Sequence, residues 1–277
     1  MSDTSEKPQA SLSHYAYTQA LSPCRWAWEF LRRNSQFLAD AALHANHKMS
    51  VRRISRDIKL IAPQTIQNNA KQWGLVFFPD PARNGYEAEV FWSSPHPRNL
   101  VHVQISPSAT GRHCDIYKQV IRSCQVTHLV DKEGGEHLLI KRCGQVIQAR
   151  CSGMSLLSPL PVEAGFLISE TGELKESFRA LHNALQMFRP HPTPTCWTRT
   201  NLSLRNALIA YDCLTAGRSI RETAIIIYGR ERTSAEWRSP GRAMKDQIRR
   251  SRRKGRELVN GGYTRLLEMP HPAGPQR

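Results

Sequence analysis

Nine basic side chains crowd the stretch from Arg238 to Arg256 against the single acid Asp246, a net of +8 in nineteen residues and half of the chain's formal +16. Within it Arg242, Lys245, Arg249, Arg252 and Arg256 recur at spacings of three, four, three and four residues, so on a helix they share one face. The chemistry of such a face is polyanion binding, because it neutralises phosphates and releases their condensed counterions. Arg242, Lys245 and Gln247, near the start of that helix, are candidate base readers, since bidentate arginine to guanine and amide to adenine are the usual pairings. Arg238, Arg249, Arg250, Arg252, Arg253, Lys254 and Arg256 are candidate phosphate contacts. A charge run by itself is as readily a solvated surface helix, so the weight falls on what surrounds it.

Covalent and metal chemistry find no comparable constellation. Tyr263 lies in basic surroundings, yet a tyrosine nucleophile acting on phosphate needs several Arg and His or Lys groups around it, and no HxxR-type cluster stands upstream. GGYTRLL reads more simply as a helix cap followed by a docking aromatic. His44 and His47 sit at helical spacing without acidic or cysteine partners nearby. With no Gly-rich phosphate loop, paired carboxylates or metal-ligand spacing either, the expectation is a non-enzyme with no cofactor and no metal.

The elements before the basic stretch are those that present a helix to DNA. Ser219 and Glu222 have the S-x-x-E spacing of a capping box, and Gly229 suits the residue that closes the helix they open. Upstream, Leu204, Leu208, Tyr211 and Leu214 line one helical face that ends at Gly217, so two helices meet across a tight Gly217-Arg218 joint. Tyr211, Gly217, Ser219, Glu222, Ala224, Ile227 and Gly229 are the expected scaffold of this helix-turn-helix. Ser239 as N-cap with Pro240 after it starts the basic helix, and Met244, Ile248, Ser251, Gly255 and Leu258 give it a docking row. Arg230 to Arg238 is expected to be a loop, longer than a minimal turn.

Composition is that of a folded chain, 277 residues with 40% hydrophobic and 22% charged side chains. No apolar run approaches the roughly 18 residues that span a bilayer, and MSDTSEKPQASLSH lacks the apolar core of a signal peptide, so a cytosolic, nucleoid-associated protein with no membrane partner is expected. Seven cysteines without a C-x-x-C pair read as free thiols. The expected fold class is α+β, mainly helical, in five parts. Residues 1–20 are a disordered leader, 21–98 an N-terminal helical module, and 99–170 a small antiparallel meander. Residues 171–269 are the helix-turn-helix domain with its long basic helix, and 270–277 a disordered tail. The first helix runs from Pro23 through CRWAWEFLRRNSQFLADAALHA. Trp73, Phe77, Phe78, Phe91 and Trp92 are expected in the core of the helical module, with KMSVRRISRDIK as a basic contact region or exposed linker. LVHVQI, QVTHLV, HLLIK and QVIQARC, the last three joined at Asp131 to Glu136 and at Arg142 to Gln145, make the meander. ELKESFRALHNALQMF is expected to pack along its length through Leu174, Phe178, Leu181, Leu185 and Phe188.

The patterns WAWEFLRRN, WGLVFFPDP and VFW resemble a proteobacterial transcriptional-regulator leader domain. HLLIKRCGQVIQARCSG, ALIAYDCLTAGRSIRETAIIIYG and IRRSRRKGRELVNGGYTRLL resemble a domain, formerly of unknown function, often fused to it. Together they resemble the FseA-type transcriptional activators of integrative and conjugative elements in rhizobia and related bacteria, over most of the chain from Pro23 to Leu267. That resemblance implies double-stranded DNA at a promoter as ligand, and activation of excisionase expression leading to excision and conjugative transfer. It also implies RNA polymerase and a small antiactivator as partners. The Lys48 to Lys59 region departs from the leader pattern and reads as an insertion. Rival readings are a protein-binding antiactivator or adaptor of the same fold, and a DNA-recombination accessory protein. The dense basic face argues against a pure adaptor, and the absence of interleaved aromatics argues against RNA.

Overall fold

The computed structural model describes residues 11–44, 49–93, 100–111, 124–167, 174–187, 196–238 and 242–269. They belong to two compact units, one of Leu21–Pro194 with Tyr263–Arg277 and the other of Met1–Ala20 with Thr195–Gly262.

The first unit carries a seven-stranded sheet. Strands β1 (Met49–Arg53), β2 (Ile58–Pro63), β3 (Val101–Pro107), β4 (Gln125–Val130), β5 (Glu136–Arg142), β6 (Gln145–Gly153) and β7 (Val162–Phe166) lie in the order β1-β2-β4-β5-β6-β3-β7. β2 with β4 and β3 with β6 are parallel, and the other neighbours antiparallel. The two expected hairpins are present. Asp131 accepts the backbone N–H groups of Glu133 and Gly135 at 2.9 and 2.7 Å. Cys143 and Gly144 both take positive φ, 47° and 80°, as a two-residue turn that follows the strand twist requires.

The expectation of a mainly helical chain with a small antiparallel meander is corrected by this sheet, which is open and mixed and has seven strands where the meander has four; LVHVQI, expected to open the meander, is β3 and lies between β6 and β7, parallel to β6. The sheet draws β1 and β2 from a stretch expected to be helical module and basic linker, and the basic KMSVRR–IKL segment is an edge hairpin. The physical reason is that β2 and β3 join through parallel ladders. Such strands need no tight turn next to them in sequence, so no local signal announces the pairing.

Each face of the sheet has its own core. On one, Ile61, Leu129, Leu139 and Val146 pack with Phe77 and Phe91. Beyond them helices α1 (Pro23–Leu31) and α2 (Ser35–Leu43) bury Trp26, Trp28, Phe30 and Phe37 completely. The single helix expected there breaks at Asn34, whose side chain accepts the Phe37 N–H at 2.9 Å and caps α2. On the opposite face Ile58, Val103, Ile105, Val126, Leu138 and Ile140 pack with Ala180 and Ala184 of helix α3 (Leu174–Met187). Here too an expectation changes. α3 docks through its alanines, which allow close approach to the sheet, and Leu174, Phe178 and Leu185 remain 50–57% exposed. Phe188 and His47 lie outside the described residues.

The second unit is helical. A 3-10 helix, Leu12–Ala20, precedes α4 (Arg199–Thr215), α5 (Ile220–Tyr228), α6 (Arg230–Glu236) and α7 (Ala243–Glu257). Leu204, Ala207, Leu208, Ile209, Ala224, Ile227, Met244 and Ile248 are among its buried apolar residues. Residues 11–20, expected to be part of a disordered leader, are instead tied down. Tyr15 is buried and donates to Asp212 at 2.8 Å, and the Asn201 amide donates to the Gln19 carbonyl at 3.0 Å. Residues 1–10 and 270–277, where the rest of the leader and the tail were expected, are outside the described residues.

Candidate nucleic-acid interface

The helix-turn-helix scaffold is assembled by local hydrogen bonds. At the end of α4, Gly217 takes φ 69° while the Arg218 N–H reaches the Cys213 carbonyl at 2.8 Å, the bond of a left-handed helix stop. Ser219 then caps α5: its hydroxyl accepts the Glu222 N–H at 3.2 Å and the Glu222 carboxylate accepts the Ser219 N–H at 2.7 Å. Ala224 and Ile227 turn this helix inward, at 0% and 5% exposure. Gly229, at φ 86° and ψ 159°, is the whole joint between α5 and α6.

Arg230 to Arg238 was expected to be a loop and is largely helix α6, followed by Trp237 and Arg238. A signal for it was present. Arg232 and Glu236 stand at i,i+4 and pair at 2.9 Å, and the Arg232 guanidinium also lies 5.2 Å above the Tyr228 ring. Ser239 and Pro240, the expected start of the basic helix, are outside the described residues; the described helix α7 begins after Arg242, which takes φ 49°.

α7 docks on α4 through Met244, Ile248 and Gly255. Gly255 sets the approach, since a Cβ there would lie 2.4 Å from the Ala207 carbonyl oxygen and 2.9 Å from the Tyr211 Cβ. Around this seam, at about 100° per residue, Arg242, Arg249 and Arg253 project away, whereas Lys245 and Arg252 fall only about a quarter turn from it. Their surroundings follow. Arg252 is half-buried, and one of its amino groups donates to the Arg218 carbonyl at 2.7 Å and the Thr223 hydroxyl at 2.9 Å. It thereby ties α7 to the start of α5, a structural use that the spacing pattern alone did not reveal. The Lys245 ammonium sits 5.2 Å over the Trp237 ring. Lys254 donates to the Ser203 hydroxyl at 2.9 Å, and partial burial lowers its pKa. Arg249 pairs with Asp246 in an exposed bridge at 2.9 Å.

Of the residues expected at the interface, Arg238, Arg242, Gln247, Arg249, Arg250, Arg253 and Arg256 are therefore exposed. Lys245, Arg252 and Lys254 are partly drawn into the unit. Sequence reasoning missed Arg205, stacked 4.6 Å above Trp197, with its pKa lowered by partial burial. It also missed the seat that Trp237 makes for Lys245.

In the sheet unit Tyr263 is 3% exposed, donates to the Trp73 carbonyl at 3.2 Å and stacks on Trp92, and burial pushes its pKa up to about 12. That is a packed phenol, the docking aromatic that GGYTRLL suggested. Among the described residues no cluster of three potential metal ligands occurs, and no helix is long and apolar enough to cross a membrane.

A family model described as a T6SS transcription factor DNA-binding domain matches residues 164–268. A second, described as a proteobacterial transcriptional regulator-like domain, matches residues 10–78. No curated protein matches the chain. The two matches support a transcriptional regulator with a DNA-binding domain in its C-terminal part.

Proposed function

We propose that the chain is a sequence-specific, promoter-binding transcriptional regulator that holds double-stranded DNA with the helical unit Thr195–Gly262. The observation that carries this is the two-sidedness of α7. One side is sealed by Met244, Ile248 and Gly255, while Arg242, Arg249, Arg250, Arg253 and Arg256 stand exposed on the rest. A helix held rigidly by one side offers its other side as a rail of charge at fixed spacing, which suits the phosphate backbone of a duplex. The test is capture of genomic fragments by the purified chain, followed by a salt titration on any enriched duplex. Enrichment of a promoter-proximal site with a steep salt slope is expected; salt-sensitive binding without enrichment, or no binding, refutes the proposal.

We further propose that the regulator is an activator acting on an excisionase promoter, with RNA polymerase and a small antiactivator as partners. Support for this is the resemblance carried by ALIAYDCLTAGRSIRETAIIIYG and IRRSRRKGRELVNGGYTRLL to FseA-type activators. Expression of the chain should then raise a reporter fused to the captured promoter and increase the excised junction of the element that carries it. A reporter that falls on expression, or a junction that stays constant, rejects the activation reading and leaves DNA binding intact.

A further inference from the structure

Two helices of the second unit face solvent with different chemistry. The exposed surface of α7 is mainly cationic, with Arg249, Arg250, Arg253 and Arg256 against Glu257, and with Gln247 as its exposed neutral hydrogen-bonding side chain. α6 is different. Across Arg230 to Arg238 three arginines stand against Glu231 and Glu236, a net of only +1. The helix contributes one buried residue, Thr233, and leaves Arg230, Glu231, Arg232, Ser234, Ala235 and Glu236 exposed.

The position of α6 in the chain matters as much as its surface. α4, α5 and α6 follow one another across two tight glycine joints, Gly217 and Gly229, and in a helix-turn-helix the helix that enters the major groove follows a turn. Of the two helices that follow a joint here, α5 turns Thr223, Ala224 and Ile227 inward, whereas α6 buries Thr233 and leaves its other six residues exposed. Although little of it is buried, it is fixed in place: Thr233 is fully buried, and Arg232 is held by Glu236 and the Tyr228 ring. At about 100° per residue, Arg230, Ser234, Glu231 and Ala235 occupy one broad side, clear of the Arg232–Glu236 pair.

We propose that α6, and not the start of α7, reads the base edges, through Arg230, Glu231, Ser234 and Ala235, while α7 grips the phosphates. This rests on the DNA-binding reading above and assigns its specificity. The four side chains supply the kinds of group the major groove discriminates: an arginine fork for guanine, a carboxylate for the cytosine amino group, a hydroxyl for either, and a methyl for the thymine methyl. A carboxylate facing phosphate is repelled, so Glu231 makes sense on a base-reading surface and not on a backbone-tracking one. Conversely a run of guanidiniums gives affinity to any duplex and little choice among them.

The experiment is selection of duplexes from a random pool by the full chain. Wild type is compared with Arg230→Ala, Glu231→Ala and Ser234→Ala on α6, and with Arg242→Ala and Gln247→Ala on α7, each first shown to have native circular dichroism. All five positions are exposed, so folding should survive. The α6 variants are expected to keep binding to random duplex within about threefold and to lose roughly tenfold or more in preference for the selected site, each relaxing a different base position. The α7 variants are expected to select the wild-type motif, Arg242→Ala with lower affinity on every duplex. An altered motif in the α7 variants, or an unaltered one in all the α6 variants, overturns the assignment while DNA binding stands. A wild-type chain that enriches no motif overturns the sequence-specific reading and this assignment together.

Discussion

Replacing Gly255 by alanine sets two effects of opposite sign against each other, and the structure decides which wins. In an isolated helix the change stabilises by about 1 kcal/mol, because alanine is the best helix former and glycine among the worst. Here the new methyl would lie 2.4 Å from the Ala207 carbonyl oxygen, 2.9 Å from the Tyr211 Cβ and 3.2 Å from the Ala207 carbonyl carbon. Two of these atoms are backbone of α4 and cannot turn aside as a side-chain tip can, so relief requires α7 to move away by roughly 1 Å. A gap of that size forfeits about a quarter to a half of each dispersion contact it opens. The seam concerned includes Ile248, Ala207 and Leu208, all 0% exposed, and Met244 at 5%. Overpacking of this kind costs about 1–3 kcal/mol, and the rigid neighbour places it at the upper end. The net is a loss of about 2 kcal/mol, or roughly 10 °C in the melting temperature of a unit of this size. Thermal melting followed by far-ultraviolet circular dichroism measures it, with hydrogen exchange across 199–215 and 243–257 identifying the transition. A variant that melts at or above wild type would refute the reasoning, since that is the behaviour of a helix free of α4.

Two further predictions test the surfaces. Arg252→Ala should destabilise the helical unit by about 1–3 kcal/mol through loss of its bonds to the Arg218 carbonyl and the Thr223 hydroxyl; Arg253→Ala, on the exposed side, should leave stability within about 0.5 kcal/mol and lower the salt slope of binding by about 0.9. Equal stability for the two, or a slope untouched by Arg253→Ala, contradicts the division between structural and phosphate-facing arginines. In the sheet unit Lys141 donates to the carbonyls of Glu87 and Ala88, and burial lowers its pKa from 10.5 to about 7. Above pH 7 the unfolded chain therefore holds a proton the folded chain has released, so stability should rise with pH by up to about 1.4 kcal/mol per unit. The window closes above about pH 8.5, where unfolded cysteines begin to ionise while burial holds the Cys151 thiol up at about 12, a contribution of opposite sign that offsets the lysine's. Lys141→Met should flatten the slope of chemical-denaturation stability between pH 7 and 8.5; an unchanged slope assigns the effect elsewhere.

What the sequence discloses depends on how far apart the interacting residues lie. Ser219 with Glu222, Gly217 with Arg218, and Cys143 with Gly144 are joints whose chemistry is complete within a few residues, and each is found where the residues place it. β2 and β4 pair in parallel far apart in sequence, Ile58 with Val126, and neither strand carries a mark of its partner. Alternation in IKLIAP is weak because Lys59 and Leu60 are both half-buried, so the period that betrays a strand is blurred. α3 shows the converse error. Its large residues at three-four spacing advertise a docking face, but the sheet accepts the small face, Ala180 and Ala184. Periodicity reveals that a helix has two sides; it does not say which one the fold covers when the smaller side permits the closer approach.

The same ambiguity governs the candidate interface. On α7 the cations and the apolar row repeat with the same three-four rhythm, so spacing alone makes every basic residue look equally free. Rotation about the axis separates them. Arg242, Arg249 and Arg253 lie more than a quarter turn from the Met244–Ile248–Gly255 seam, while Arg252 lies near enough to it to reach the carbonyl that ends the α4–α5 turn. A basic helix that must also pack cannot devote all its charge to phosphate. The residues at the margin hold the helix in register, and only those beyond them remain for the ligand. That is also why α6 matters. With its charges nearly balanced and one residue buried, it answers to few packing demands, and its exposed side is free to be chosen for what it recognises.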